Sequence, residues 1–210
     1  MGTIVAGTFV TLDGVMQAPG APDEDPSGGF RHGGWMFGYG SDDFGPVIME
    51  EYQRAGALLL GRRTYDIFAG FWPNQPADDP MAARINGMPR YVVSDTLKGS
   101  DWNGTTIVRG KDLKAQIAKL RAGPDLEVHV TGSANLLQTL IREDLVDRYL
   151  IWTFPLVLGT GKKLFGDGTV PLGLTLRSSR RFESGAVLND YARGGEIRYG
   201  TIGGEAEGKR

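Results

Sequence analysis

Two short stretches carry the residue types needed to grip an anion. The first is Gly61-Arg62-Arg63-Thr64, set between the apolar run Leu58-Leu59-Leu60 and a helical pattern that brings Tyr65, Ile67 and Phe68. The second is Thr131-Gly132-Ser133-Ala134-Asn135, which follows the strand-like Leu126-Glu127-Val128-His129-Val130 and opens a helical pattern reaching residue 141. Backbone N–H groups in the first turn of a helix have no partner within the helix, and the helix dipole adds positive potential at the same place. Arg62 and Arg63 add charge that no physiological pH removes. Each junction alone also reads as a tight turn with an N-cap. Together they suit a ligand with more than one phosphate, and a nicotinamide dinucleotide phosphate is such a ligand.

Other candidates are weaker. Ser94-Asp95-Thr96 ends a third strand pattern, where short hydroxyls either bond a phosphate or close a turn. Asp13, in Thr11-Leu12-Asp13-Gly14, stands at the end of the first strand, the edge at which open α/β sheets bind ligands. Gly159-Thr160-Gly161-Lys162-Lys163 resembles a P-loop but fails as one: Leu156 stands where the first glycine belongs, and Lys163 where a hydroxyl would hold magnesium. It does not open a βαβ unit as a Rossmann turn must. The absence of cysteine excludes disulfides, thiol catalysis and Cys-ligated metal. Only His32 and His129 are present, too few to favour a His-based zinc site or a serine–histidine triad.

The elements that must position these residues follow from patterning. Residues 3–11 form a β-branched apolar strand. Strand patterns recur at 57–60, 90–94, 105–108, 126–130 and 146–153, the last continuing over 155–158 after a break. Helical patterns cover 42–55 with Ser41 as N-cap, 64–71, 79–86, 111–121 and 133–141. Their alternation predicts an α/β fold: a mostly parallel sheet with helices on both faces. Residues 174–182 and 186–191 predict a C-terminal hairpin around Ser184-Gly185. Residues 196–201 are expected to pair next, through Gly194-Gly195. The Pro/Gly/Asp-rich stretch 18–40 carries Phe30, Trp35, Phe37 and Tyr39, which favours a folded flap over a linker. The chain reads as one domain over 1–202 with a flexible tail at 203–210.

Charge is nearly balanced, 23 Lys+Arg against 25 Asp+Glu, so no bulk basicity argues for nucleic acid. Met1-Gly2-Thr3-Ile4-Val5 has no basic start and no long apolar run. No signal peptide or membrane span is expected, and the location is read as cytoplasmic.

Five segments in this order carry a family resemblance: Thr11-Leu12-Asp13-Gly14, Leu59-Leu60-Gly61-Arg62-Arg63-Thr64-Tyr65, Val92-Val93-Ser94-Asp95-Thr96-Leu97, Thr131-Gly132-Ser133 and Pro155-Leu156-Val157-Leu158-Gly159-Thr160-Gly161-Lys162. Over residues 3–200 the chain resembles the dihydrofolate reductase-like superfamily, in particular the C-terminal reductase domain of the riboflavin-biosynthesis deaminase/reductase. The resemblance implies a three-layer α/β/α fold with antiparallel C-terminal strands, NADPH as cofactor, a small-molecule substrate and a homodimer. It assigns Gly61, Arg62, Arg63, Thr64 and Ser94 to the adenosine-phosphate end. Thr131, Gly132, Ser133, Ala134 and Asn135 go to the pyrophosphate, and Thr8, Phe9, Val15 and Met16 flank the nicotinamide.

The implied reaction is hydride transfer to a C=N or C=O carbon of a small heterocyclic or sugar-derived substrate, similar to 5-amino-6-(5-phosphoribosylamino)uracil reduction. Dihydrofolate reductases place an acid in the first helix. The matching position here is near Gly45, with Asp42 and Asp43 just upstream. The proton donor is therefore open among Asp13, Asp42, Asp43 and a bound water. A dihydrofolate or pterin reductase and a non-catalytic NADPH-binding protein are the competing readings.

Overall fold

The computed structural model describes residues 1–202 and the short strand Glu207–Gly208. Eight strands form one sheet: β1 (Thr3–Thr11), β2 (Ala55–Gly61), β3 (Arg90–Val93), β4 (Thr105–Val108), β5 (Glu127–Val130), β6 (Arg148–Phe154), β7 (Gly173–Arg181) and β8 (Val187–Gly195). Their order is β4-β3-β2-β5-β1-β6-β8-β7. All pairings from β4 to β6 are parallel, and β8 pairs antiparallel with both β6 and β7. The helices are α1 (Phe44–Arg54), α2 (Arg62–Phe71), α3 (Pro80–Gly87), α4 (Leu113–Ala122) and α5 (Ala134–Arg142).

The side-chain pattern builds three layers. Even-numbered positions of β1 (Ile4, Ala6, Val10) join Val128, Val130, Tyr149 and Ile151 on one face, covered by Leu113 and Ile117 of α4 and Leu136, Leu137, Leu140 and Ile141 of α5. The opposite face carries two clusters. Trp152, Phe154 and Phe182 pack under Phe44 and Val47 of α1, while Leu58, Leu60 and Val92 pack with Tyr65, Ile85 and Met88. β2 must satisfy both faces, which is why Leu58, Leu59 and Leu60 are all apolar and fully buried. Asp79 starts α3 by accepting from the amides of Met81 at 2.8 Å and Ala82 at 2.9 Å, with Pro80 in the first turn.

Three sequence expectations change. The chain at 155–158 is not strand, because Pro155 has no N–H for the ladder and the backbone turns so that the Leu156 amide donates back to the Phe154 carbonyl at 2.8 Å. Residues 196–201 do not extend the C-terminal hairpin. β8 already has β6 on one side and β7 on the other, so a strand that follows it finds no open side of β8 to pair with. Instead β9 (Arg198–Tyr199) pairs antiparallel with β10 (Glu207–Gly208). Within the expected tail, only this strand is described; 203–206, 209 and 210 lie outside the described residues. Ser41 does not cap α1. The helix starts later, with Asp43 at the N-cap position and the Ser41 hydroxyl donating to its carboxylate.

Candidate functional site

The two stretches expected to hold an anion lie back to back. β2 and β5 are neighbours in the sheet, so the turns leaving them meet at its carboxyl edge. The Gly61 amide donates to the Gly132 carbonyl at 3.1 Å. A Cβ on Gly61 would stand 2.9 Å from the Ser133 amide nitrogen, and one on Gly132 would stand 2.9 Å from Thr64 Oγ1. Gly132 also has φ +128°, a conformation glycine adopts without penalty. Both glycines are therefore fixed by close approach of the two chains. Gly61→Ala is expected to cost about 1–3 kcal/mol by overpacking, read as a lower urea midpoint at unchanged slope.

Around this contact opens a cavity of about 490 Å³, lined by Gly61, Arg62, Arg63, Val93, Ser133 and Asn135 among others. α2 and α5 both begin at its wall, and neither has a side-chain cap, so no capping side chain competes for their first-turn N–H groups. The cavity walls thus provide two positive helix starts and two arginines. Arg62 Nε sits 2.8 Å from both carboxylate oxygens of Asp66, and its Nη1 lies 3.4 Å from Thr96 Oγ1. Arg63 pairs with Asp25.

The remaining expected site residues are not in the cavity lining. Thr64 packs on Gly132, Thr131 lies near the Tyr52 hydroxyl, and Ala134 packs against the core. Ser94 is buried, and its Oγ accepts from the amides of Thr96 at 3.3 Å and Leu97 at 3.0 Å. It closes the turn after β3, where the buried backbone donors need an acceptor, and Val93 takes its place in the lining. Near the end of β1, Thr8, Val15 and Met16 are buried. Phe9 packs edge-on to Trp152 and Phe154.

The acids divide by environment. Asp13 accepts from Thr11 Oγ1 at 2.5 Å and from the amides of Leu158 at 3.2 Å and Gly159 at 2.8 Å. These bonds, the Thr11 one foremost, hold its carboxyl below the ordinary range. Asp13 therefore ties the loop after β1 to the loop after β6. Asp42 is exposed and Asp43 is held by Ser41 at the start of α1; neither lines the cavity.

The structure adds an acid that the motifs do not include. Glu51 is buried beneath α1, its Oε1 3.2 Å from Trp152 Nε1, and burial pushes its carboxyl up to about 7 against the lowering influence of Trp152, Arg54 and Arg148. The signal was present: 51 continues the inward stripe of 44, 47 and 48, so an acid falls where helical spacing calls for an apolar residue. Next to it lies an ionic network. Glu127 bonds His129 at 2.8 Å and Arg148 at 2.6 Å, and Arg148 also grips Asp190 at 2.8 and 2.9 Å.

The stretch 18–40 folds against the body. Phe30 and Trp35 join the aromatic cluster under α1, and Trp35 Nε1 donates to the Gln17 carbonyl at 2.8 Å. Asp25, in the same stretch, reaches both Arg63 and Lys162, so it ties this segment to the cavity wall and to the loop after β6.

This arrangement agrees with a comparison of whole sequences. Residues 2–188 match the model of the RibD C-terminal domain. The chain belongs to that family. The RibD-type chain is 26% identical over 197 residues to the uncharacterized Bacillus subtilis protein YyaP, covering 90% of this chain and 93% of the relative. Among solved structures it resembles a protein assigned to riboflavin biosynthesis from Shewanella sp. PV-4, at TM-score 0.68 and 25% identity, with 91% and 99% of the two chains covered. The dihydrofolate reductase of Enterococcus faecalis, solved with NADP(H), shares the fold at TM-score 0.54 and 12% identity, with 91% and 96% covered. The RibD-type fold here is dihydrofolate reductase-like, with the mostly parallel sheet and antiparallel C-terminal strands expected. Among the described residues no helix is long and apolar enough to cross a membrane.

Proposed function

We propose that the chain is an NADPH-dependent reductase that delivers hydride to a C=N or C=O carbon of a small heterocyclic or sugar-derived substrate, a reaction similar to 5-amino-6-(5-phosphoribosylamino)uracil reduction. The observation that carries this reading is the pairing of two uncapped helix starts and two arginines around one cavity at the carboxyl edge of the sheet. The residues present fit a dinucleotide with several phosphates: fixed cations, outward-facing amides and glycines that leave the backbone bare.

In this reading Gly61, Arg62, Arg63 and Thr64 receive the adenosine-phosphate end, and Thr131, Gly132, Ser133, Ala134 and Asn135 the pyrophosphate. Ser94 acts at one remove, by shaping the turn that presents Thr96 to Arg62. A nicotinamide held there would supply the hydride. The chain's own part is to position it. The α2 and α5 amides would hold the phosphates, the buried apolar side chains of Val15 and Met16 just after β1 would keep water from that edge, and the 18–40 segment is tied to the cavity wall through Asp25. The proton donor in this reading is one of Asp13, Asp42, Asp43 and a bound water. The reading also includes a cytoplasmic homodimer, the dimer measurable by sedimentation.

The test is titration calorimetry with NADPH and NADH on the wild type and on Arg62→Ala/Arg63→Ala. Removing one charge-assisted hydrogen bond costs on the order of 1.5–3 kcal/mol, so NADPH should weaken far more than NADH. Equal weakening would mean the arginines do not read the 2′-phosphate. NADPH uptake without oxidation at 340 nm across candidate substrates would favour the non-catalytic binder.

A further inference from the structure

Arg63 lines the cavity, yet its guanidinium is already engaged by a carboxylate of the same chain. Asp25 takes Arg63 from one side and Lys162 Nζ from the other, the latter at 2.6 Å. Ser27 adds its Oγ at 2.5 Å and its amide at 3.2 Å. The Asp25 backbone is held too: Gln17 Nε2 donates to the carbonyls of Asp25 at 2.8 Å and Ser27 at 2.9 Å, and Gln17 Oε1 accepts from the Lys162 amide at 2.9 Å. Asp25 thus has several ties to its own surroundings and one to the cavity wall.

The two ends of that last tie differ. The Asp25 side chain is 11% exposed and the Arg63 side chain 47% exposed. An exposed arginine leaves an ion pair at little cost, whereas a buried carboxylate leaves only if its charge stays compensated. Here it does, because Lys162 and Ser27 remain. Burial would raise the Asp25 carboxyl, but the hydrogen bonds from Lys162 and Ser27 outweigh it and keep the group below its ordinary value.

We propose that Asp25 is an internal counter-anion on which Arg63 is parked, and that a ligand phosphate entering the cavity takes Arg63 from it. This rests on the cavity being an anion site, as proposed above, and adds that the chain carries its own competitor for that site. Asp25 thereby sets how strongly a phosphate must bind to enter. The exchange moves one side chain and leaves the 18–40 segment anchored through Lys162, Ser27 and Gln17.

The experiment is calorimetry with inorganic pyrophosphate on the full chain in four forms: wild type, Asp25→Asn, Arg63→Gln and the double variant. Asp25→Asn is expected to tighten pyrophosphate by about three- to fivefold, the worth of a partly exposed ion pair, and that gain should vanish when Arg63 is already Gln. An equal gain in both backgrounds would reduce Asp25 to a general field effect and overturn the exchange. No gain, or no pyrophosphate uptake by wild type and Asp25→Asn alike, would also overturn it. Should Asp25→Asn not fold, a wild-type crystal soaked in pyrophosphate decides: the Arg63 guanidinium on the phosphate supports the exchange, and Arg63 still on Asp25 beside a bound phosphate refutes it. The NADPH/NADH comparison can fail while this cycle succeeds, and the reverse, so the two readings are separable.

Discussion

Replacing Arg90 with methionine will destabilise the protein by at least about 3 kcal/mol, with Arg90→Lys recovering less than half of the loss. Arg90 is fully buried at the start of β3. Its Nη2 donates to the carbonyls of Ile85 at 3.0 Å, Asn86 at 2.8 Å and Met88 at 2.8 Å, its Nη1 donates to the Asn103 carbonyl, and the guanidinium lies 3.7 Å from the Trp102 ring centroid. The side chain thus closes the carboxyl end of α3 and joins it to the loop before β4. Burial lowers its pKa to about 10, still far above neutrality, so the cation persists inside. Methionine fills much of the volume but leaves buried carbonyls without donors, each costing about 1–3 kcal/mol. Lysine keeps the charge but cannot span carbonyls on two elements or stack on Trp102. Urea unfolding of the three proteins checks this, and a methionine variant within about 1 kcal/mol of wild type would show that water replaces the guanidinium.

Glu51→Gln will make the protein more stable at pH 8 and leave it nearly unchanged at pH 4. In the fold the Glu51 carboxyl rises from 4.5 to about 7, because burial penalises its charged form. The native state therefore holds this proton more tightly than the unfolded chain does. Stability is full below about pH 4.5 and declines as pH rises through about 7, by about 3 kcal/mol for a shift of this size. Glutamine keeps an acceptor oxygen for Trp152 Nε1 and has no proton to lose. The difference between the two stability curves should open between about pH 4.5 and 7 and then level off. Titrating groups that do not interact with Glu51 act equally on both proteins and cancel. Parallel curves would mean that Glu51 ionises in the fold as it does in water.

Most of the sheet was legible because its elements are locally consistent. β1, β4 and the strand cores at 58–60 and 128–130 are dominated by apolar or β-branched residues between clear turn signals, and α5 repeats leucine at helical spacing. Five cavity-lining residues, Gly61, Arg62, Arg63, Ser133 and Asn135, were also legible, since strand–glycine–helix junctions must leave amides at the carboxyl edge. What the sequence hid were interactions between distant segments. Asp25 lies in an aperiodic stretch, and nothing local ties it to Arg63 or Lys162, 38 and 137 residues away. Asp13 read as a facing acid, but its role depends on amides contributed by the loop after β6. The expected strand after β8 failed for a topological reason, since only the assembled order shows that β8 has no vacant side.

The abutment of Gly61 on Ser133 and of Gly132 on Thr64 has a consequence for engineering. The two turns share one contact and cannot be regrafted singly: a loop borrowed from a relative at 61–64 must fit a foreign partner at 131–133, or bring that partner with it. Chimeras that exchange both turns together should keep their thermal midpoint, while single exchanges should lose it even where every transplanted residue is native to some member of the family.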